Sequence, residues 1–186
     1  MSASSLFAGL PNLISLARLG LVPVVIAMIA SNAWVEAFLI FVAAGVSDAV
    51  DGFLAKRFGL QTELGAYLDP LADKALLITI YVALAVVGVL PAAIAILVVF
   101  RDVLIIGAVI MSWLLDKPMK IRPLTVSKFN TTAQILLAGS VLGAKAFDIH
   151  MGMWYQALLY LAALLTIAST AAYLTQWMRH MDGLEN

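Results

Sequence analysis

Residues Ser47 to Lys74 read SDAVDGFLAKRFGLQTELGAYLDPLADK and predict two apolar helices joined by a short polar turn. On the first helix Asp48 and Asp51 lie three positions apart, and on the second Asp69 and Asp73 lie four apart. Residues at these spacings share one face of an α-helix. Because a short connection makes neighbouring helices antiparallel, we expect the two acidic faces to meet.

Small residues lie on the same two faces as the aspartates. Gly52 and Ala55 follow Asp48 at helical spacing, and Gly65 precedes Asp69 by four positions. Without large side chains, these positions leave room for a flat or phosphorylated ligand to approach the backbone. Taken one by one, each glycine could equally ease helix packing and each aspartate could equally face water. Their joint alignment on two facing stripes favours a functional site.

Four carboxylates close together indicate a bound cation. A buried aspartate costs about 2.5–3.5 kcal/mol at membrane depth, and like charges repel one another. Oxygen ligands without histidine or cysteine suit a hard divalent ion, so Mg²⁺ or Mn²⁺ is expected. Two such ions about 3.5–4 Å apart would use all four aspartates and leave coordination positions for substrate phosphates.

Composition places this hairpin in a membrane. Of the 186 residues, 63% are hydrophobic and 12% are charged, whereas soluble domains have about 45–50% and 25%. A bilayer-spanning helix needs about 20 apolar residues. Six segments qualify: Asn12–Ala30, Trp34–Ala55, Leu64–Val87, Pro91–Leu115, Leu124–Ala144 and Trp154–Trp177. The prediction is an all-α integral membrane protein with six transmembrane helices, forming a single domain over residues 1–186. A short N-terminal interfacial segment through Leu6, Phe7 and Leu10 precedes them.

The distribution of charge excludes some functions and predicts an orientation. With a net charge of zero, the chain lacks the basic field that nucleic-acid binding requires, and without cysteine it forms neither disulfides nor thiolate metal sites. Lysine and arginine concentrate after the second, fourth and sixth spans, so both termini and the acidic site are expected in the cytoplasm. The expected location is a bacterial inner membrane. Ser2–Leu10 carry no positive charge, so neither a signal peptide nor a transit peptide is expected.

Four cations lie within the predicted spans or near their ends: Arg18, Lys74, Arg101 and Lys128. A charge in hydrocarbon is expensive, so each of them is a functional candidate. Lys74 and Arg101 could also offset part of the aspartate charge.

The spacing Asp48-x2-Asp51-Gly52-x2-Ala55-Lys56-x8-Gly65-x3-Asp69-x3-Asp73 resembles the signature of the CDP-alcohol phosphatidyltransferase family. Lys56 stands where the family pattern usually has arginine, and Arg57 follows it. The resemblance implies a six-helix membrane enzyme, usually a homodimer, that uses an alcohol to displace CMP from a CDP-linked lipid.

The same resemblance implies roles for the residues of the signature. It implies two divalent ions held by Asp48, Asp51, Asp69 and Asp73, with Asp73 as the general base. It also implies a CDP-binding surface formed by Asp48, Gly52, Ala55, Lys56, Gly65 and Asp69. The physical logic agrees, because metal ions neutralise a diphosphate while a nearby carboxylate accepts the proton of the alcohol.

Segments outside the hairpin narrow the choice of acceptor alcohol. Leu10–Pro23, Arg101-Asp102 and Ser127–Gln134 resemble the phosphatidylglycerophosphate synthase and cardiolipin synthase branches of the family. Glycerol-phosphate users tend to have a second lysine where this chain has Asn130, and the neutral form is similar to the eukaryotic-type cardiolipin synthases. We therefore expect phosphatidylglycerol as acceptor and CDP-diacylglycerol as donor. The residues expected to bind the acceptor are Arg101, Lys128, Asn130 and Thr131.

Two kinds of alternative stay open at this stage. The first alternative is phosphatidylglycerophosphate synthesis, in which glycerol 3-phosphate is the acceptor. Inositol-phosphate or serine acceptors rank below it. A transporter that uses the intramembrane aspartates as an ion relay is a different class of function. Such transporters usually have repeated halves with broken helices, and the sequence shows no internal repeat.

Overall fold

Six helices form the described part of the chain. The computed structural model describes residues 10–58, 63–115 and 124–181, with side chains over 13–50, 52, 72–115 and 124–181. Its helices are α1 (Leu10–Ala30), α2 (Trp34–Phe58), α3 (Glu63–Val86), α4 (Ala92–Leu114), α5 (Thr125–Ala146) and α6 (Met153–Met181). No strand occurs in these ranges. The predicted all-α class and the six helices are confirmed. The interfacial segment predicted before α1 lies outside the described residues.

Three of the connections are tight turns built on a left-handed residue. Asn32 (φ 59°), Gly88 (φ 75°) and Asp148 (φ 52°) follow α1, α3 and α5. At each turn the next backbone amide donates a hydrogen bond of 2.8–2.9 Å to a carbonyl five residues earlier. This pattern satisfies carbonyl groups at a helix end, and it favours glycine or asparagine at the left-handed position. These turns make successive helices antiparallel. All three turns lie at the same end of the bundle.

The helices enclose a continuous apolar core. α1 packs against α2 and α3, α5 packs against α2 and α6, and α4 packs against α3 and α6. Fully buried side chains at the centre include Val25, Ile80, Leu84, Leu137 and Val141. Every helix contributes to this core. The prediction that residues 1–186 form one domain stays a prediction.

Close packing of α2 against α5 depends on two glycines. A Cβ atom at Gly139 would lie 3.0 Å from the Phe41 ring, and one at Gly143 would lie 3.2 Å from the Phe38 ring. Both distances are shorter than ordinary carbon contacts. The Gly139–Gly143 spacing is the small-residue pattern that lets helices approach closely in membranes. The Phe41 ring therefore packs against α5 at Gly139, beside the cavity described below.

The distribution of apolar and charged side chains is that of a membrane protein. Large apolar side chains are exposed on the bundle surface, among them Ile96, Phe129 and Leu164, whereas Arg18 and Arg101 are buried inside. Within the described residues, three helices are long and apolar enough to cross a bilayer: Leu13–Ala30 of α1, α4 and α6.

The prediction that six segments are long and apolar enough to span a bilayer is therefore corrected: three helices meet this criterion within the described residues. The other three helices also carry charged and polar residues. α2 contains Asp48 and Asp51, α3 contains Asp69, Asp73 and Lys74, and α5 contains Lys128, Asn130 and Gln134. Each charge inside a helix lowers its tendency to enter hydrocarbon.

Candidate functional site

A cavity of about 620 Å³ lies between α1, α2, α3 and α5. One end is charged, because Arg18, Asp48, Asp73 and Lys74 line it. The rest of the wall is largely apolar and includes Phe41, Val42, Leu76, Leu77 and Ile135. This volume falls within the usual range for small-molecule and cofactor pockets. The cavity can thus receive a ligand with a charged head and an apolar body.

Arg18 joins the two helices of the acidic hairpin. Its Nη1 atom donates a hydrogen bond to Asp48 Oδ1 of α2 at 2.9 Å, and the same atom contacts Asp73 Oδ1 of α3. The Arg18 side chain is 2% exposed, while those of Asp48 and Asp73 are 45% and 43% exposed. Arg18 therefore holds the carboxylates from the buried side, and both carboxylates stay accessible from the cavity.

The structure brings Asp48 and Asp73 together as the helical spacing predicts. Both are on the cavity wall, and both contact one cationic nitrogen atom. Gly52 lies in α2, and a Cβ atom built there would meet no heavy atom of the described structure within 4 Å. The side chains of the remaining predicted site residues lie outside the described part: Asp51, Ala55, Lys56, Gly65 and Asp69. Their roles stay predictions.

The carboxylate pair fits a hard cation by its chemistry. Oxygen atoms from two helices converge on one positive atom of Arg18, which shows that positive charge is stabilised between them. Each carboxylate also has a second oxygen, and divalent ions of this class prefer carboxylate ligands. Among the described side chains there is no group of three or more potential metal ligands. The two-ion site expected from four aspartates thus stays a prediction.

A second charged cluster lies between α3 and α4. Lys74 Nζ donates a hydrogen bond of 2.6 Å to Asp102 Oδ1, and Arg101 Nη1 contacts the same oxygen. The Asp102 and Arg101 side chains are only 5% and 2% exposed, whereas Lys74 is 43% exposed. Lys74 is the member of this cluster that lines the cavity.

Arg101 is held by side chains from three helices, its own α4 and also α5 and α6. Its Nη2 atom contacts Ser127 of α5 and donates a 3.0 Å hydrogen bond to Ser169 Oγ of α6. The guanidinium carbon also lies 5.5 Å from the centre of the Tyr173 ring, a cation–π distance. With Asp102, these contacts give each of the three nitrogen atoms of the buried guanidinium a hydrogen-bond partner.

Asn130 belongs to a separate buried network. Its Oδ1 atom accepts a 2.8 Å hydrogen bond from Thr166 Oγ1, and Gln134 Nε2 donates to the same hydroxyl at 3.1 Å. All three residues are at most 2% exposed. The network therefore joins α5 to α6 in the interior of the bundle.

The four residues expected to bind the acceptor are thus separated in space. Thr131 lines the cavity, and Lys128 is exposed near the start of α5. Arg101 and Asn130 are buried and engaged with α6. Of the four, the structure places Thr131 alone on the described cavity wall.

Several functional contacts could not be assigned from the sequence. Arg18 was recognisable as a costly intramembrane cation, and such a cation requires an anionic partner. Its partners depend on how α1 packs against α2 and α3. Ser169 and Thr166 look like ordinary small residues of an apolar helix, so no sequence signal distinguishes their polar role from packing.

Comparison with known proteins gives a consistent set of relatives. A family model described as CDP-alcohol phosphatidyltransferase matches residues 8–168. The chain is 36% identical over 185 residues to the CDP-diacylglycerol–glycerol-3-phosphate 3-phosphatidyltransferase 1, chloroplastic, of Oryza sativa subsp. japonica, covering 90% of this chain and 56% of that protein. It is 32% identical over 180 residues to the cardiolipin synthase (CMP-forming) of Rattus norvegicus, covering 88% of this chain and 60% of that protein.

A bacterial relative is matched over most of its length. The CDP-diacylglycerol–glycerol-3-phosphate 3-phosphatidyltransferase of Rickettsia bellii is 30% identical over 169 residues, covering 88% of this chain and 92% of that protein. The chain spans less than two thirds of the rice and rat proteins.

Proposed function

The chain belongs to the CDP-alcohol phosphatidyltransferase family, and from this premise we propose that it transfers a phosphatidyl group from CDP-diacylglycerol to phosphatidylglycerol. The products are cardiolipin and CMP. The observation that carries the proposal is the cavity with one charged end and a largely apolar wall. A lipid phosphate suits the charged end, and the first part of its acyl chains suits the apolar wall.

The reaction is a substitution at phosphorus. The free glycerol hydroxyl of the acceptor attacks the phosphorus that carries diacylglycerol, forming a new oxygen–phosphorus bond. The bond from that phosphorus to the bridging diphosphate oxygen breaks, and CMP leaves with it. The hydroxyl proton must pass to a base. Asp73 is our candidate, because its carboxylate is 43% exposed at the charged end of the cavity.

The divalent ions proposed for this site would be held by Asp48, Asp51, Asp69 and Asp73. When bound, they would supply neutralising charge for the diphosphate and the leaving group. Arg18 contacts both Asp48 and Asp73 from the buried side. Groups that hold metal ligands in this way orient them for the ion. Gly52, Ala55, Lys56 and Gly65 are proposed to border the cytidine and diphosphate.

The charges on the cavity wall favour an acceptor with little negative charge. The described wall has two cations, Arg18 and Lys74, and two carboxylates, Asp48 and Asp73. Phosphatidylglycerol is a phosphodiester with one negative charge, whereas glycerol 3-phosphate is close to a dianion. Thr131 and Lys128 are proposed to contact the acceptor. Arg101 is proposed to act on the acceptor from inside the bundle, and Asn130 is proposed to hold α5 against α6, because both side chains are buried.

Phosphatidylglycerophosphate synthesis is the second candidate. The relatives from rice and Rickettsia carry the name of that activity, at 36% and 30% identity. Both candidates share the donor, the cavity and the leaving group. They differ in the acceptor alone.

Separate acceptors distinguish the two candidates. Purified protein would receive CDP-diacylglycerol and Mg²⁺ with either phosphatidylglycerol or glycerol 3-phosphate, and product lipids would be separated and identified. We expect cardiolipin from the first reaction. Product from glycerol 3-phosphate with none from phosphatidylglycerol would replace our proposal by the second candidate.

The membrane arrangement belongs to the same proposal. We propose that all six helices cross a bacterial inner membrane, with both termini and the charged end of the cavity at the cytoplasmic face. The charged helices α2, α3 and α5 are proposed to cross as part of the bundle, because Asp48, Asp73 and Gln134 line its cavity and do not face lipid. A homodimer is proposed from the family resemblance.

A further inference from the structure

Lys74, Asp102 and Arg101 form a cluster, called here the Lys74 cluster, with more positive than negative charge. One oxygen atom of Asp102 accepts hydrogen bonds from both cations. Arg101 satisfies its other donors with the hydroxyls of Ser127 and Ser169, which carry no charge. In the described part of the structure, the cluster therefore has one excess positive charge inside a membrane-protein bundle. Such a charge is stabilised when an anion binds it.

Within this cluster, Lys74 is the residue whose charge a ligand in the cavity can reach. Arg101 and Asp102 are 2% and 5% exposed, and Lys74 is 43% exposed. Lys74 also lines the cavity, whereas the other two do not. Its ammonium group has three donors, of which Asp102 takes one. Within the described part of the chain, two donors remain for a ligand in the cavity.

The Lys74 side chain leaves α3 in a different direction from the Asp73 carboxylate. Consecutive residues of an α-helix are turned by about 100°. Asp73 contacts Arg18 of α1, and Lys74 contacts Asp102 of α4. The ammonium thus lies on the α4 side of the carboxylates, away from α1. A phosphate bound to Lys74 would sit beside the proposed metal site without replacing its ligands.

We propose that Lys74 binds the single negative charge of the acceptor phosphodiester, and that Asp102 and Arg101 are positioning residues that hold its ammonium at the cavity wall. The inference rests on the proposed function, because it assumes that the cavity receives a donor and an acceptor together. It also gives Arg101 an indirect part in acceptor binding that agrees with its burial. Arg101 binds Asp102, and Asp102 in turn binds the Lys74 ammonium that lines the cavity.

A purely structural ion pair is the competing explanation, and kinetics can separate the two. Removing a structural pair lowers stability and the fraction of active enzyme, so the maximal rate falls whichever substrate is varied. Removing a phosphate-binding group weakens the acceptor selectively. The test uses the full chain in phosphatidylcholine nanodiscs with Mg²⁺, comparing Lys74→Gln, Lys74→Arg and Asp102→Asn. The matched control is Lys145→Gln, because Lys145 is an exposed lysine of α5 that lies over the Trp34 ring at the opposite end of the bundle.

Steady-state rates would be measured while phosphatidylglycerol, glycerol 3-phosphate or CDP-diacylglycerol is varied. For Lys74→Gln we expect the phosphatidylglycerol KM to rise on the order of tenfold, with KM for CDP-diacylglycerol changed less than about twofold. Lys74→Arg should recover most of the loss, and Asp102→Asn should show a smaller rise. An unchanged phosphatidylglycerol KM in Lys74→Gln, or a larger effect on CDP-diacylglycerol, would overturn the inference. An equal effect in Lys145→Gln would also overturn it.

A binding measurement without donor keeps this inference distinct from the proposed function. Short-chain phosphatidylglycerol and glycerol 3-phosphate would each be titrated into the wild type and Lys74→Gln. If the wild type makes product from neither acceptor, the proposed function fails. Loss of phosphatidylglycerol binding in Lys74→Gln would still support the Lys74 site, and equal binding would overturn it. A loss confined to glycerol 3-phosphate would assign the site to a free phosphate and overturn its assignment to the lipid.

Discussion

The Nη1 atom of Arg18 lies 2.9 Å from Asp48 Oδ1, across the contact between the first two helices. The same nitrogen contacts Asp73 of α3, so three helices meet at one cationic atom. Two carboxylates near each other repel, and a buried guanidinium is unfavourable when unpaired. Each group therefore stabilises the others. This contact sets the geometry on which the proposed metal site depends.

Replacing Arg18 with glutamine should destabilise the metal-free protein and weaken its binding of divalent ions. We expect a loss of about 1–3 kcal/mol, because the carboxylates lose their partner but stay partly hydrated. Metal affinity should fall about 10–100-fold, the usual effect of losing a group that orients the ligands. Thermal unfolding with a chelator and Mn²⁺ binding by electron paramagnetic resonance would measure these changes.

Arg179→Gln provides the control for Arg18, because Arg179 is exposed in the last turn of α6. It should leave both measurements near the wild-type values. Tighter Mn²⁺ binding in Arg18→Gln would show that Arg18 competes with the ion, in contradiction to a positioning role.

Asparagine at Asp48 or Asp73 should abolish metal-dependent release of CMP. Asparagine keeps the size of the side chain and removes the charge that a divalent ion requires. The expected loss in kcat is at least about 100-fold for Asp73→Asn, because a general base contributes that much by itself. Release of labelled CMP from CDP-diacylglycerol in detergent measures the effect. Unchanged release in both variants would exclude this carboxylate pair as the active site and would reopen the ion-relay alternative.

Alanine at Asn130 should lower stability without a selective effect on the acceptor. Asn130 is fully buried and bonds to Thr166, and an unpaired buried polar group costs about 1–3 kcal/mol. A double-mutant cycle with Thr166→Val tests this, since the coupled loss should be less than the sum of the single losses. Thermal unfolding and the phosphatidylglycerol KM are the two measurements. A raised KM at unchanged stability would instead return Asn130 to the acceptor site.

Leucine at Gly52 should weaken donor binding while the fold is kept. A Cβ atom at this position has no described heavy atom within 4 Å, so the substitution begins in open space, and leucine favours a helix over glycine by nearly 1 kcal/mol. If cytidine occupies that space, KM for CDP-diacylglycerol should rise on the order of tenfold. Gly107→Leu is the matched control, because Gly107 of α4 also has open space. Equal kinetics in the two variants would contradict the assignment of Gly52 to the nucleotide.

Periodicity predicted the parts of the site that lie within one hairpin. Asp48 and Asp73 were expected to meet because helical spacing fixes the face of each and a short turn makes the helices antiparallel. In the structure, both carboxylates contact Nη1 of Arg18, and their roles in a metal site stay predictions. The positions of the six helices were also predictable, because each is a mostly apolar segment bounded by turn residues that are visible in the sequence.

The acceptor residues were harder to place, since a helix can rotate about its axis without any change in its own sequence pattern. Asn130 and Arg101 were expected at the cavity, but both face α6. Their direction is set by Thr166 and Ser169, which supply hydroxyl partners from a distant part of the chain. Small hydroxyl residues are common in membrane helices for packing alone. Sequence could indicate that polar residues must be paired, but it could not identify their partners.

The enclosure of Arg101 has a consequence for the order in which the protein assembles. Arg101 lies in α4, while its hydroxyl and aromatic partners, Ser127, Ser169 and Tyr173, belong to helices that are synthesised later. Until those helices enter the membrane, Asp102 on the same helix is the partner that can neutralise the guanidinium. We therefore expect stable burial of α4 to depend on α6, so ribosomes stalled before α6 should leave a nascent protein that is readily degraded by membrane proteases.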